Sequence, residues 1–385
     1  MTRKRLAVAA RGSAGCLFLA VVLAVVVTGG IGAILSLGGG SGPETSRPAP
    51  SPEPKERPRA REDAGTVYAN LVNGRPGAGG SGNLAGAYYR DGRFFLATVG
   101  HVATVPGGQM FDYQAGRPVG TVAYTTADAA GRDQGDGAAL VDIGTGALPP
   151  LLRIATTDAV VPGAPAPIPS LATVSAAFTD GVLPSGTVAC HSSFFSDSPT
   201  FAQGHGYRCG TLASDCPVSA TECWFRGTAP FVASGDSGGP VWRPRPDGTV
   251  DLLGFVRHQA GNQTLIGFTP ASAYSRHDWT SGVAPDFPAG PGGSFVTAPG
   301  APPDVKATQS GPGRAEATWR ASPAHPADPV MEYRILVDGR QMAVTPPAVF
   351  RAQFAMKLPT GPHQLVVQAV DRWGVARSSA ATAVA

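Results

Sequence analysis

The sequence predicts an all-β protein carried behind an N-terminal transmembrane helix, and three observations predict it. From about residue 65 onward, short apolar runs such as Phe94–Val99, Ala138–Ile143 and Leu252–Val256 are separated by turn residues. That spacing suits a barrel or sandwich. Glycine (51) and proline (37) are abundant while only 15% of residues are charged, which favours turn-rich sheet over helix. One uncharged, mostly apolar stretch lies near the start, at residues 14–37, and spanning a bilayer takes roughly 20 residues.

The elements follow in order. Residues 1–13 form a basic segment containing Arg3, Lys4, Arg5 and Arg11. A basic flank stays cytoplasmic, so the chain beyond residue 37 is expected outside the cell. A cleaved signal sequence is the alternative, which would make the protein secreted. Its apolar part is normally only about 7–15 residues, and no Ala-x-Ala-like site follows Leu37. Cys16 reads as a membrane-embedded thiol. Residues 38–64 are rich in Pro, Ser, Glu and Arg; such a segment buries too little apolar surface to fold and reads as a disordered tether.

The 385 residues suffice for two domains plus these extensions. The net charge of +3 is not gathered into a basic patch, so no nucleic-acid partner is expected. The remaining cysteines, Cys190, Cys209, Cys216 and Cys223, lie on the export side, where two disulfides are expected. Their order alone allows three pairings. Their spacing lacks the paired CxxC of a zinc site, so neither a metal nor another cofactor is expected.

The chemistry is concentrated in Gly235-Asp236-Ser237-Gly238-Gly239-Pro240. A serine hydroxyl is a weak nucleophile and must be held beside a base. Flanking glycines permit a tight backbone. The N–H groups of Gly235 and Ser237 can then converge where an oxyanion develops. A plain Gly-Asp turn between strands is the competing reading. The hexapeptide resembles the nucleophile loop of chymotrypsin-type (trypsin-like, streptogrisin-type) serine proteases.

The resemblance extends to the other triad positions. Leu96-Ala97-Thr98-Val99-Gly100-His101 resembles the segment carrying the family's general base, so it implies that role for His101. Gly135-Asp136-Gly137-Ala138-Ala139-Leu140 resembles the segment carrying the carboxylate that orients the histidine. It points to Asp136, with Asp133 and Asp142 as competitors; Asp142, inside a strand, reads as solvent-facing. The order His101, Asp136, Ser237 is the chymotrypsin order. The half-cystine usual beside the histidine is replaced by Val102. Asp236 needs a positive partner; no Ile-Val-Gly-Gly-like activation segment precedes His101, so an internal arginine is expected.

For residues 65–285 the resemblance implies two six-stranded antiparallel barrels with the triad between them and a short helix near Ala271–His277. It also implies that Cys190 pairs with Cys209, which leaves Cys216 with Cys223. The implied substrate pocket has Phe231 at its floor, which gives no support for cleavage after Lys or Arg. Its wall is Arg257, His258 and Gln259, where the family has a small polar residue, then an aromatic or glycine, then glycine. A register shift of two would put Gly261 there instead.

Residues 286–300 read as a linker. Residues 301–385 resemble a fibronectin type III module, with Trp319 and Tyr333 as core residues and His363 where the family has its corner tyrosine. Such a module is a spacer or takes a glycan or surface protein. The expected function is a membrane-tethered serine endopeptidase acting on protein or peptide substrates. The alternative is a catalytically weak or inactive protease-fold binding or adhesion protein.

Overall fold

A computed structural model describes residues 67–384, apart from 73–74, 113–117, 146–152, 156–170, 193–206, 228–231, 233–234, 262, 356–360, 373 and 375. The basic segment, the apolar run, the tether and Phe231 lie outside the described residues. Among the described residues no helix is long and apolar enough to cross a membrane.

The first sheet contains β1 (Val67–Val72), β2 (Arg75–Asn83), β3 (Ala85–Arg90), β4 (Arg93–Val99), β5 (Gln109–Asp112), β6 (Pro118–Thr125) and β7 (Ala138–Gly144). They lie in the order β3-β4-β7-β6-β5-β1-β2, every pairing antiparallel. Central β7 is buried on both faces from Ala138 to Asp142. That accounts for its continuous apolar run, where a half-exposed strand would alternate.

The second region holds β8 (Arg153–Ala155), β9 (Leu171–Ala177), β10 (Val182–Leu183), β11 (Val188–Ser192), β12 (Tyr207–Leu212), β13 (Cys216–Pro217), β14 (Cys223–Arg226), β15 (Pro240–Pro244), β16 (Val250–Ala260) and β17 (Leu265–Pro270). The path β15-β11-β12-β14-β17-β16 closes on itself through β15–β16, giving a six-stranded barrel. Closure removes the open edges. Its core is built on Phe225, Phe268, Ile266 and Leu253. Disulfides join Cys190 to Cys209 across β11 and β12, and Cys216 to Cys223.

The helix α1 (Ala271–Arg276) follows β17, and the chain then returns to the first sheet. Trp279 packs on Tyr124, with ring centroids 5.1 Å apart. Residues 286–300, read as a linker, are docked on the first sheet. Ser294–Phe295 forms β18 and pairs with β3, and Phe295, Val296 and Ala298 are buried. The apolar residues among the glycines and prolines explain the difference: they bury area that a free linker would expose.

The last region is a sandwich. One sheet is β19 (Lys306–Gly311), β20 (Arg314–Thr318) and β23 (Arg351–Ala355). The other is β22 (Arg340–Thr345), β21 (Val330–Val337), β24 (His363–Asp371) and β25 (Ala376–Ser378), with β26 (Thr382–Val384) also on β24. Ala315, Ala317, Ile335, Val337, Leu365 and Val367 alternate inward around buried Trp319 and Tyr333. The Tyr333 hydroxyl accepts the Ser322 N–H at 2.9 Å. His363 is half of a pair with Asp338, Nδ1 to Oδ2 at 2.7 Å, so this corner is tied by a histidine–carboxylate contact.

Candidate active site

His101 follows β4 directly, in a turn where Val102 and Ala103 donate N–H groups to the Val99 carbonyl. Ser237 sits in the turn before β15. This turn is sewn to the rest of the molecule through Asn83 at the end of β2. Asn83 N–H donates to the Ser237 carbonyl at 2.7 Å, and its side-chain amide donates to the Gly235 carbonyl at 3.0 Å. Thr98 Oγ1 donates to the Asn83 carbonyl, and the Tyr274 hydroxyl donates to the Thr98 carbonyl. Helix α1, β4 and the serine turn therefore form one polar chain. Gly238 has φ of 79°, and a Cβ there would lie 2.1 Å from the Asn83 carbonyl oxygen, so only glycine fits.

The carboxylate facing His101 is Asp133. Its Oδ2 lies 2.8 Å from His101 Nδ1, and its Oδ1 accepts the His101 backbone N–H. Asp136, the position chosen from its motif, is turned elsewhere. Its Oδ1 accepts the Ala138 N–H at 3.1 Å, and its Oδ2 lies 2.8 Å from Nδ1 of His277. The loop between β6 and β7 explains the change. Asp128 gathers the N–H groups of Ala130 and Arg132, Ala127 bridges Asp133, and Gln134 N–H returns to the Thr126 carbonyl. This small hairpin carries Asp133 over Gly100, where a Cβ would lie 2.7 Å from Asp133 Oδ1. The other competitor, Asp142, is buried in an ion pair with Arg93 and does not face solvent as expected.

Asp133 is 3% exposed and also receives Arg257 Nε at 3.2 Å. Burial alone would push its carboxyl up. The His101 hydrogen bond and the charges of His101 and Arg257 outweigh that and hold it below the ordinary carboxylate range. His101 is thus paired with a carboxylate held in its ionised form.

His101 and Ser237 line one cleft of about 530 Å³ together with Asp133, Gly235, Arg257, His258 and Gln259. The wall strand is secured to the serine turn: Gly238 N–H donates to the Val256 carbonyl, and Val256 N–H donates to Gly239, both at 2.8 Å. Within the wall Arg257 is drawn behind His101 and is 8% exposed, while His258 stays accessible. His258 Nε2 lies 3.4 Å from Glu222 Oε1. Burial, then the Arg257 charge, lowers the His258 pKa. Asp236 is fully buried beneath the turn. Among the described residues no cluster of three or more His, Cys, Asp or Glu side chains could hold a metal.

Sequence reasoning missed Asn83, Thr98 and Tyr274. Only Thr98 carried a signal, as a polar residue inside the apolar run that leads to His101.

No protein-family model matches the chain, and no curated protein matches it. Several solved structures are similar over part of it. One is a glutamic-acid-specific serine protease described as using a histidine triad in substrate binding, at 15% identity, covering 54% of this chain and 92% of that one, with a TM-score of 0.36. An alpha-lytic protease homologue matches at 15% identity over the same shares, with a TM-score of 0.32. A heparin binding protein structure matches at 14% identity, covering 59% of this chain and 93% of that one, with a TM-score of 0.33.

Proposed function

We propose that this protein is a serine endopeptidase in which His101, Asp133 and Ser237 form the triad. The observation that carries the reading is the Asp133–His101 pair at 2.8 Å in the cleft that Ser237 lines. Ionised Asp133 accepts a hydrogen bond from Nδ1–H of His101, which leaves Nε2 unprotonated and available as a base. Nε2 takes the Ser237 hydroxyl proton as Oγ attacks the scissile carbonyl, and the imidazolium then returns that proton to the leaving amine. The N–H groups of Gly235 and Ser237 stabilise the oxyanion. Water repeats the sequence to release the acyl group.

His258 and Gln259 are proposed to contact the substrate side chain. Arg257 is committed to Asp133 and adds no free charge to the wall. Two disulfides suit an oxidising compartment, in keeping with export behind the apolar run at residues 14–37, which we propose acts as a membrane anchor. The C-terminal sandwich is proposed to be a fibronectin type III module that spaces the catalytic domain or docks a surface partner.

The test is hydrolysis of a peptide library by the purified chain beside Ser237→Ala. Cleavage that falls by about 10⁴-fold or more in the variant is expected. Hydrolysis that survives Ser237→Ala, or none in the parent, would contradict the reading.

A further inference from the structure

Arg257 is placed with unusual care for a residue on a pocket wall. Its strand β16 runs antiparallel to β17, pairing Val256 with Phe268 and His258 with Gly267, so Arg257 occupies a bulge. A bulge adds one residue and re-aims a side chain. Here it turns the guanidinium inward. Nε meets Asp133 Oδ2 at 3.2 Å, the same oxygen that contacts His101, and Nη1 donates to the Gly135 carbonyl at 3.0 Å. The opposing loop makes room for it. Gly137 has φ of 70°, and a Cβ there would lie 2.4 Å from Arg257 Nε. The resemblance noted above leads to a small neutral residue at this position, so the arginine belongs to this chain's own design.

We propose that Arg257 is a positioning residue that clamps the Asp133 carboxylate beneath His101 and, by sharing that carboxylate's charge, opposes the build-up of positive charge on the His101 ring. The clamp stands on geometry alone; its consequence for turnover rests on the serine-protease reading. A cation beside an imidazole disfavours its protonated form. The groups around His101 divide by sign. Asp133, Glu222 behind His258, and Asp136 farther along the loop favour the imidazolium. Arg257, His258 and the rim residue Arg132 oppose it, although Arg132 is paired with Asp128 and His277 sits on Asp136. Of the opposing groups only Arg257 is both permanently charged and buried against Asp133, so its removal has the largest effect.

The experiment follows the His101 ring by NMR against pH in the full chain carrying Ser237→Ala, and follows the acid limb of kcat/KM in the chain with Ser237 intact. Arg257→Met and Arg257→Gln should move both midpoints upward by about one pH unit. Arg257→Lys keeps the charge without the two-pronged contact; it should leave the midpoints near the parent's while kcat falls. Gly137→Ala, whose Cβ would crowd Arg257 Nε while leaving the arginine in place, should reproduce the upward shift and serves if the Arg257 variants do not fold. Midpoints unchanged in Gln, Met and Gly137→Ala variants would overturn the proposal, as would a Lys variant shifted as far as Gln. If the parent hydrolyses nothing while the NMR midpoints move as stated, the protease reading fails and the clamp stands. Unmoved midpoints in an active enzyme would remove the clamp alone.

Discussion

Two histidine–carboxylate pairs sit three residues apart on one loop and invite comparison. Asp133 holds His101, and Asp136 holds His277, each through Nδ1 at 2.8 Å. The difference lies in what surrounds them. His101 opens onto the cleft with Ser237, and Asp133 behind it is closed off by Gly100 and Arg257. His277 instead lies against Trp279, ring centroids 4.2 Å apart, while the Asp136 carbonyl is held by Thr269 Oγ1 at 2.6 Å. The first pair places an imidazole in the cleft that Ser237 also lines. The second ties the β6–β7 loop to the segment after α1. A good hydrogen bond between imidazole and carboxylate therefore does not by itself mark a triad.

The sharpest way to break this comparison is to neutralise each carboxylate in turn. Asp133→Asn is expected to lower kcat by about 10⁴-fold. Asp136→Asn should leave kcat within about tenfold of the parent, measured on the same substrate. Gly100→Ala comes next, because its Cβ would crowd Asp133 Oδ1. A displacement near 1 Å at the triad costs roughly 10²-fold, read in kcat with the fold checked by circular dichroism.

Smaller effects sharpen the structural role of the second pair. Asp136→Asn and His277→Gln should each lower stability by about 1–2 kcal/mol, seen as a shifted urea midpoint. A carboxylate in the sandwich supplies a further contrast, because its strongest charged neighbour is another carboxylate. Asp328 in the sandwich is fully buried, and burial, then the neighbouring Asp371 charge, pushes its carboxyl up to about 8. In the unfolded chain an aspartate titrates near ~4, so between those values the folded state carries an extra proton. Stability from this site is full at low pH and declines as pH rises toward about 8. Between pH 5 and pH 9 the thermal midpoint of the parent should fall by several degrees more than that of Asp328→Asn.

Much of the site was legible because its parts are local. The glycines around Ser237 are needed by one tight turn, and His101 follows one apolar strand, so short stretches of sequence carry both. The carboxylate was less legible. Asp136 stands in a familiar setting beside an apolar strand, but its partner His277 lies 141 residues away, and no local pattern announces that contact. Asp133 is selected by a hairpin built on Asp128 and by the absence of side chains at Gly100, which are tertiary facts. Arg257 was placed on the pocket wall by the resemblance and does line the cleft, but its turn toward Asp133 depends on a bulge that strand alternation does not reveal. Residues 286–300 read as a linker because their glycines and prolines outweigh a few apolar residues that find a sheet edge. The all-β class and the alternation of Ala315, Ala317, Leu365 and Val367 in the sandwich needed only period-two patterning.

The most direct measurement is the rate at which a fluorophosphonate probe labels Ser237 in the parent, Asp133→Asn and Asp136→Asn. The probe reports an activated serine without needing a known substrate. The account predicts labelling of the parent and of Asp136→Asn at comparable rates, and labelling of Asp133→Asn slowed by about 10³-fold or more. A slow Asp136→Asn beside a normal Asp133→Asn, or no labelling of the parent, would contradict it.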